Sequence, residues 1–259
     1  PEQIEQQLGM NVIGLVPKLT GKQAPYEHVM KKSGSGYVEA INSLNISLKL
    51  TDPDTKIQAI QVTSSVPEEG KTSLILSLAV VLAKTGKKVV VVDGDLRRSS
   101  IEKKLGIDAK GPGLTDFVIA DTDDVSGFIS THEDSGVDLM RTGEGQFVSA
   151  TDLFSSARMR HVIDLLKQRY DYVLVDAPPV MAVADARVIG QVTDTTIFAV
   201  RWNKTPKKVA RAALDLLRKS DIQIAGVVLQ QVDLKRYGRL GYGDSGYYYH
   251  YGRYGQYYS

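Results

Sequence analysis

The spacing of apolar residues along this chain switches between two periods. Over 37–50, Val38, Ile41, Leu44 and Leu48 recur at helical intervals. Residues 56–63 read as a strand, 71–85 as a helix, and the valine run within 88–92 as a strand buried on both faces. A weaker strand signal follows at 137–140, then a helix at 157–169 and buried strands at 172–175 and 195–200. Pro206 opens a helix over 206–219, where its missing N–H is tolerated, and 222–229 is the last strand. Ahead of this block, 2–8 reads as the end of a helix and 12–16 as a short apolar run closed by Pro17. The stretch 20–36 is polar, contains Gly, Pro and Lys, and reads as a linker.

Strands alternating with helices imply βαβ units. The expected fold is therefore α/β, a mostly parallel central sheet with helices on both faces. From Tyr237 the composition turns to Gly, Tyr and Arg without aliphatic periodicity, which offers little apolar surface to bury and reads as a flexible tail. Three parts are expected: a leading segment and linker over 1–36, a main domain over 37–234, and a tyrosine-rich tail over 235–259.

Composition narrows the function by exclusion. With 259 residues and a net charge of +2, the chain gives no electrostatic argument for nucleic acid. It contains no cysteine, and His28, His132, His161 and His250 are too scattered for a metal site. No apolar run approaches the roughly 18 residues needed to span a bilayer. The chain opens on Pro1, as expected of a piece of something longer. Of its 13 tyrosines, nine fall at or after Tyr237, a clustering that no packed core requires.

The candidate chemistry sits at three strand ends. The strand closing near Thr63 runs into Ser65-Val66-Pro67-Glu68-Glu69-Gly70-Lys71-Thr72, the phosphate-binding loop pattern with serine at the first glycine. Such a loop turns backbone N–H groups toward one point at the positive end of a helix. Pro67, Glu68, Glu69, Gly70, Lys71, Thr72 and Ser73 are the expected nucleotide contacts, with Lys71 on the β/γ-phosphates and Thr72 on Mg2+. The run 89–92 ends in Asp93-Gly94-Asp95-Leu96-Arg97-Arg98, and 172–175 ends in Asp176-Ala177-Pro178-Pro179. In a parallel sheet these ends share one rim, where ligands bind. Asp176 is the expected Mg2+ carboxylate, Asp95 a second metal ligand, and Asp93 the acceptor of a proton from an attacking hydroxyl. Arg97 joins the nucleotide set. ATP is favoured over GTP, because Asn203-Lys204-Thr205-Pro206 lacks the aspartate of a guanine-reading motif.

EGKT, VVVVDGDLRR and YVLVDAPP together resemble the Walker A, A′ and B motifs of bacterial tyrosine kinases. Gly113-Leu114-Thr115-Asp116, Ser155-Ser156-Ala157-Arg158-Met159-Arg160 and Val183-Ala184-Asp185-Ala186 also look like that family. The match runs from about Tyr37 to Asp233, plus the tail, and LGMNVIGLVPKL at 8–19 resembles a juxtamembrane segment. The resemblance implies a kinase that uses ATP and Mg2+ to phosphorylate its own tail at Tyr242, Tyr247, Tyr248, Tyr249, Tyr251, Tyr254, Tyr257 and Tyr258, mainly between subunits. It implies work at the cytoplasmic face of a bacterial inner membrane, in capsular or extracellular polysaccharide export. The implied partners are a polysaccharide co-polymerase membrane region, a cognate tyrosine phosphatase and further copies of the chain through tail-in-site contacts.

One departure concerns the helix that begins near Tyr37. The family carries E-x-x-R-x-x-R there, whereas this chain has Asn42 and Asn45 after Glu39. Asparagine cannot replace the charge of a bidentate arginine, which weighs against ring assembly through this helix. Septum-positioning and chromosome-partitioning ATPases are an alternative reading, but their signature lysine is absent at Val66. A self-associating or RNA-stacking scaffold built on the tail is a second alternative, disfavoured by an adjoining Mg-ATP site.

Overall fold

The computed structural model describes residues 2–21, 23–51, 56–107, 111–120, 122–146 and 149–239. Its strands are β1 (Val12–Pro17), β2 (Ala59–Ser64), β3 (Val89–Asp93), β4 (Ser130–His132), β5 (Val137–Met140), β6 (Tyr172–Asp176), β7 (Thr195–Arg201) and β8 (Ile224–Val232). They form one sheet in the order β1-β8-β7-β2-β6-β3-β5-β4. Every pairing is parallel except β4 with β5. The helices are α1 (Glu2–Leu8), α2 (Pro25–Lys31), α3 (Gly36–Thr51), α4 (Lys71–Lys84), α5 (Ile101–Leu105), α6 (Leu114–Ile119), α7 (Ala150–Ser155), α8 (Ala157–Arg169), α9 (Asp185–Ile189), α10 (Lys207–Arg218) and α11 (Leu234–Arg239).

The apolar runs behave as the periodicity requires. All of β2 and β3 is buried, which is the condition of a strand covered on both faces. One face carries Leu44, Ile75 and Leu78 from α3 and α4; the other carries Phe117, Phe154, Val162 and Leu214 from α6, α7, α8 and α10.

The short helices α5, α6, α7 and α9 fall where the sequence reading placed no element, and four further features differ from it. The short run at 12–16 is a full edge strand, β1, paired with β8 and covered by α3. The stretch read as a linker at 20–36 contains α2, anchored by Tyr26 and Val29, both buried. Three residues of spacing put these side chains on one face, and Lys84 Nζ donates to the Val29 and Met30 carbonyls at 2.6 and 2.9 Å, satisfying the end of that helix. β4 is three residues of Ser, Thr and His, too short and polar to register as a period. Tyr237, read as the start of a flexible tail, is buried in α11 with its ring edge-on to Trp202 at 6.1 Å. The eight candidate acceptor tyrosines lie outside the described residues.

Gly226 lets β1 approach β8: a Cβ there would stand 2.6 Å from Ile13 Cγ2 and 2.9 Å from the Asn11 carbonyl. Gly226→Ala is expected to lower stability by about 1–3 kcal/mol through forced displacement of the edge strand. Urea unfolding measures this, and an unchanged midpoint would show that β1 is not held against β8 in this way.

Candidate active site

The site is assembled by strand register. On β6, Asp176 stands opposite Val62 of β2 on one side and Asp93 of β3 on the other. β2 delivers the phosphate-binding loop, so all three motif segments meet at the carboxyl rim. Gly94 N–H donates to the Asp176 carbonyl at 2.9 Å. A Cβ at Gly94 would sit only 3.0 Å from that oxygen, so the glycine permits the two strand ends to touch.

The phosphate-binding loop leads into α4 through Gly70, whose φ of 93° is left-handed. Pro67 and Glu68 are exposed, whereas Lys71 and Ser73 are half-buried at the helix start. Glu68 also has a left-handed φ, 66°, an unusual position for a side chain. Glu69 turns inward and is 1% exposed. Its Oε2 accepts from Ser65 Oγ at 2.6 Å and Val66 N–H at 2.8 Å. Its Oε1 accepts from Arg201 N–H at 3.3 Å and from the Thr205 hydroxyl. Glu69 is therefore a brace for the loop, a role its sequence position does not announce. Gln230 of β8 backs onto Gly70, and its buried Nε2 has no hydrogen-bond partner among the described residues.

Thr72 Oγ1 donates to Asp176 Oδ2 at 2.7 Å. Asp176 is 2% exposed, and its other oxygen, Oδ1, is buried without a hydrogen-bond partner among the described residues. Burial pushes this carboxyl above its usual range, against the opposing pull of the Lys71 ammonium and the Thr72 hydroxyl. A hydroxyl and an unsatisfied carboxylate oxygen on one rim are the donor set that Mg2+ uses alongside phosphate and water. Among the described residues no group of three or more His, Cys, Asp or Glu could hold a metal by itself.

Asp93 is fully buried. Burial, then the nearby Asp176 charge, pushes it up to about 8. Its Oδ2 accepts from Ser99 Oγ at 2.7 Å, and that hydroxyl also lies 2.5 Å from Glu102 Oε2. One hydroxyl proton serves only one of these carboxyls, so a proton on Asp93 completes the set. Asp95 is half-buried; its Oδ1 accepts from Arg98 N–H at 3.1 Å. Arg97 is directed to Asp185 Oδ2, 3.2 Å away, and Thr151 Oγ1 donates to the other oxygen of Asp185 at 2.8 Å.

Two other family-like segments acquire a physical role. Asp116 Oδ2 accepts from Gly113 and Glu144 N–H at 2.8 and 3.0 Å, and Thr115 Oγ1 from Gly145 N–H at 3.0 Å. They pin the loop that leaves β5 on the nucleotide side. Ser156 caps α8 by accepting from Met159 N–H at 3.0 Å.

The profile of the AAA domain matches residues 43–206. The chain belongs to the AAA-domain family. Its relatives place it with the bacterial tyrosine kinases. It is 30% identical to AmsA of Erwinia amylovora over 260 residues, 93% of this chain and 35% of that protein. It is 29% identical to the tyrosine-protein kinase etk of Escherichia coli over 211 residues, 82% of this chain and 28% of that protein. The chain thus spans about a third of the length of these curated relatives. Among solved structures, the chimerical protein CapA2B2 superposes with a TM-score of 0.81 at 25% identity, covering 89% of this chain and 98% of that one. The BceF tyrosine kinase domain superposes at 0.74 and 27%, covering 88% and 96%. The septum site-determining protein MinD of Pyrococcus horikoshii, solved with Mg-ADP, shares the fold alone, at 0.55 and 23% over 66% of this chain and 69% of that one.

Two outcomes test this geometry. Asp93 holds its proton to about pH 8 in the folded, metal-free chain, whereas an unfolded aspartate releases it near 3.9. Between those values the folded state binds more protons, so stability falls as pH rises, and the penalty is complete above about 8. Asp93→Asn, in EDTA, is expected to raise the melting temperature more at pH 8.5 than at pH 5; the reverse order would contradict a buried, protonated Asp93. Glu68→Gly is expected to stabilise the protein by about 1 kcal/mol by removing the left-handed penalty, read as a higher melting temperature.

Proposed function

We propose that this chain is an ATP-dependent protein-tyrosine kinase domain that phosphorylates its tail tyrosines, mainly between copies. The observation that carries this reading is the Thr72–Asp176 hydrogen bond with buried Asp93 on the adjoining strand. Mg2+ would be held by Thr72 and Asp176, with Asp95 nearby, and would supply charge neutralisation at the transferring phosphoryl group. The remaining chemistry belongs to the chain. Gly70, Lys71, Thr72 and Ser73 bring unpaired helix-start N–H groups to the phosphates, and Lys71 adds the cation. Asp93, once ionised, accepts the tyrosine hydroxyl proton; the phenolic oxygen bonds the γ-phosphorus, the bond to the bridging oxygen breaks, and ADP leaves. Tyrosine ordinarily ionises near 10, so a base beside the reacting hydroxyl has work to do. Arg97, held by Asp185, sits at the edge of the same rim.

The tail supplies the substrate. Tyr242, Tyr247, Tyr248, Tyr249, Tyr251, Tyr254, Tyr257 and Tyr258 lie among glycines that let successive residues reach one site. The strand β8 is parallel to its neighbours, so the chain leaves on the nucleotide side. From Tyr237 to Ser259 an extended chain reaches roughly 70–80 Å, enough to enter another copy. By contrast Tyr26 and Tyr37 are buried, and Tyr37 donates toward or accepts from Ser77 Oγ at 3.0 Å; neither is presented as an acceptor. The proposed setting is polysaccharide export at the cytoplasmic face of an inner membrane, with a co-polymerase membrane region and a cognate phosphatase as partners. Among the described residues no helix is long and apolar enough to cross a membrane.

Lys71→Met is expected to abolish phosphate incorporation with the fold intact. A chain lacking residues 242–259 is expected to keep ATP binding, take up little phosphate, and still label the tail of the Lys71→Met protein when the two are mixed with labelled ATP. Absence of label on that tail would rule out transfer between copies.

A further inference from the structure

The start of α10 is a cluster of cations that form no ion pair among the described residues. Lys204, Lys207, Lys208 and Arg211 are all exposed. Spacings of three and four residues place Lys207 and Lys208 beside Arg211 on the solvent side, while Ala210, Ala213, Leu214 and Leu217 face the core. The cluster follows the carboxyl end of β7, on the same rim as the nucleotide loop, and its turn is tied to that loop by the Thr205 hydroxyl on Glu69. α11 brings Lys235 and Arg236, also exposed, to this corner through the Tyr237–Trp202 contact.

The same contact fixes where the tail departs. Trp202 is two residues from Lys204, so Tyr237 is anchored within a short distance of the cations. Tyr242, five residues further on, can lie at most about 17–18 Å from Tyr237, and Tyr247–Tyr249 about twice as far. The helical span from Lys207 to Arg211 is only about 6 Å. Attachment at this point keeps the tail at a high local concentration over the patch.

We infer that Lys204, Lys207, Lys208 and Arg211 form the docking surface for the phosphorylated tail of the same molecule, folding it back and withdrawing it from neighbouring sites. This rests on the proposal that the tail is the phosphate acceptor. Unphosphorylated, residues 240–259 carry one aspartate and one arginine, and so no net side-chain charge to draw them to the cations. Each phosphotyrosine adds about −1.5 to −2 charge and oxygens that lysine and arginine bind. The patch therefore gains its ligand only once the tail carries phosphate, and the docked tail is no longer free to enter a neighbouring site.

The test uses a labelled synthetic peptide of residues 240–259 with phosphotyrosine at 247, 248 and 249, titrated by fluorescence anisotropy into the full unphosphorylated chain. Binding is expected, weakening with salt. The unphosphorylated peptide is expected to bind at least about tenfold more weakly, as is the phosphopeptide to the quadruple variant Lys204→Ala, Lys207→Ala, Lys208→Ala, Arg211→Ala. Lys204→Arg, Lys207→Arg and Lys208→Arg together should retain binding, which separates charge from misfolding. A semisynthetic full chain with phosphotyrosine at the same three positions should bind the added peptide at least about fivefold more weakly, because its own tail covers the patch. Equal binding by that chain overturns docking within one molecule; equal binding of both peptides, or no loss in the alanine variant, overturns the patch. Phosphatidylserine vesicles captured through these residues while the phosphopeptide is not would assign the patch to a membrane and overturn the inference. None of these arms needs catalysis, so loss of the kinase reading would show separately as absent phosphate incorporation.

Discussion

Asp176 is held by the sheet before any ligand arrives. Its strand lies between β2 and β3, in register with Val62 and Asp93, and the Asp176 carbonyl accepts from Gly94 N–H on the neighbouring strand end. Parallel pairing with this register is the constraint on which the site depends. Side chains alternate faces along a strand, so a shift of one residue in β6 would exchange Asp176 for Val175 on the rim and turn the carboxylate away. The loop of β2, the Asp93 carboxyl and the Thr72 hydroxyl would then have nothing to converge on. Backbone hydrogen bonds and packed valines therefore set the position of a charged group, and the charged group need not stabilise the fold to stay in place.

That arrangement leaves an electrostatic debt at the centre of the site. Asp93 and Asp176 are adjacent and buried, and burial raises both carboxyls. Lys71 and the hydroxyls of Thr72 and Ser99 offset part of this. The bare oxygen of Asp176 shows that they do not offset all of it. A divalent cation carried in with a polyphosphate would supply the missing positive charge, and nucleotide binding and ionisation of Asp93 would then favour each other. The rim loops answer a different need. Asp116, Thr115 and Asp185 spend their oxygens on backbone N–H groups and on Arg97, which keeps the walls of the site in one conformation.

Much of this was legible in the sequence because it depends on period and strand ends. Valine runs closing in Asp93 and Asp176 and a glycine–lysine–threonine turn after a strand are local patterns, and register brings them together as parallel pairing requires. α2 and β4 were not legible. Tyr26 and Val29 are too few to establish a period, and Ser130–His132 is chosen by an edge that only the folded sheet provides. Tyr237 escaped because the tail composition masks one residue whose partner, Trp202, lies 35 positions earlier. Glu69 escaped for a subtler reason: two of its four donors, Arg201 N–H and the Thr205 hydroxyl, lie 132 and 136 positions away, and only the folded sheet brings that turn against the loop.

The burial of Glu69 is nevertheless consistent with its surroundings. Its partners are two hydroxyls and two backbone N–H groups, all neutral, and together they fill the acceptor capacity of both oxygens. A lysine or arginine partner would have added a cation behind the phosphate-binding loop, in competition with Lys71 in front of it. Neutral donors solvate the carboxylate without altering the field at the phosphates. They also come from both sides: Ser65 and Val66 from the loop itself, Arg201 and Thr205 from the turn between β7 and α10. Moving that turn would break two bonds to a buried charge, a far larger penalty than breaking bonds to a neutral group. The phosphate-binding loop and the start of α10 therefore move together or not at all, so the basic corner beside the tail keeps a fixed position relative to the site.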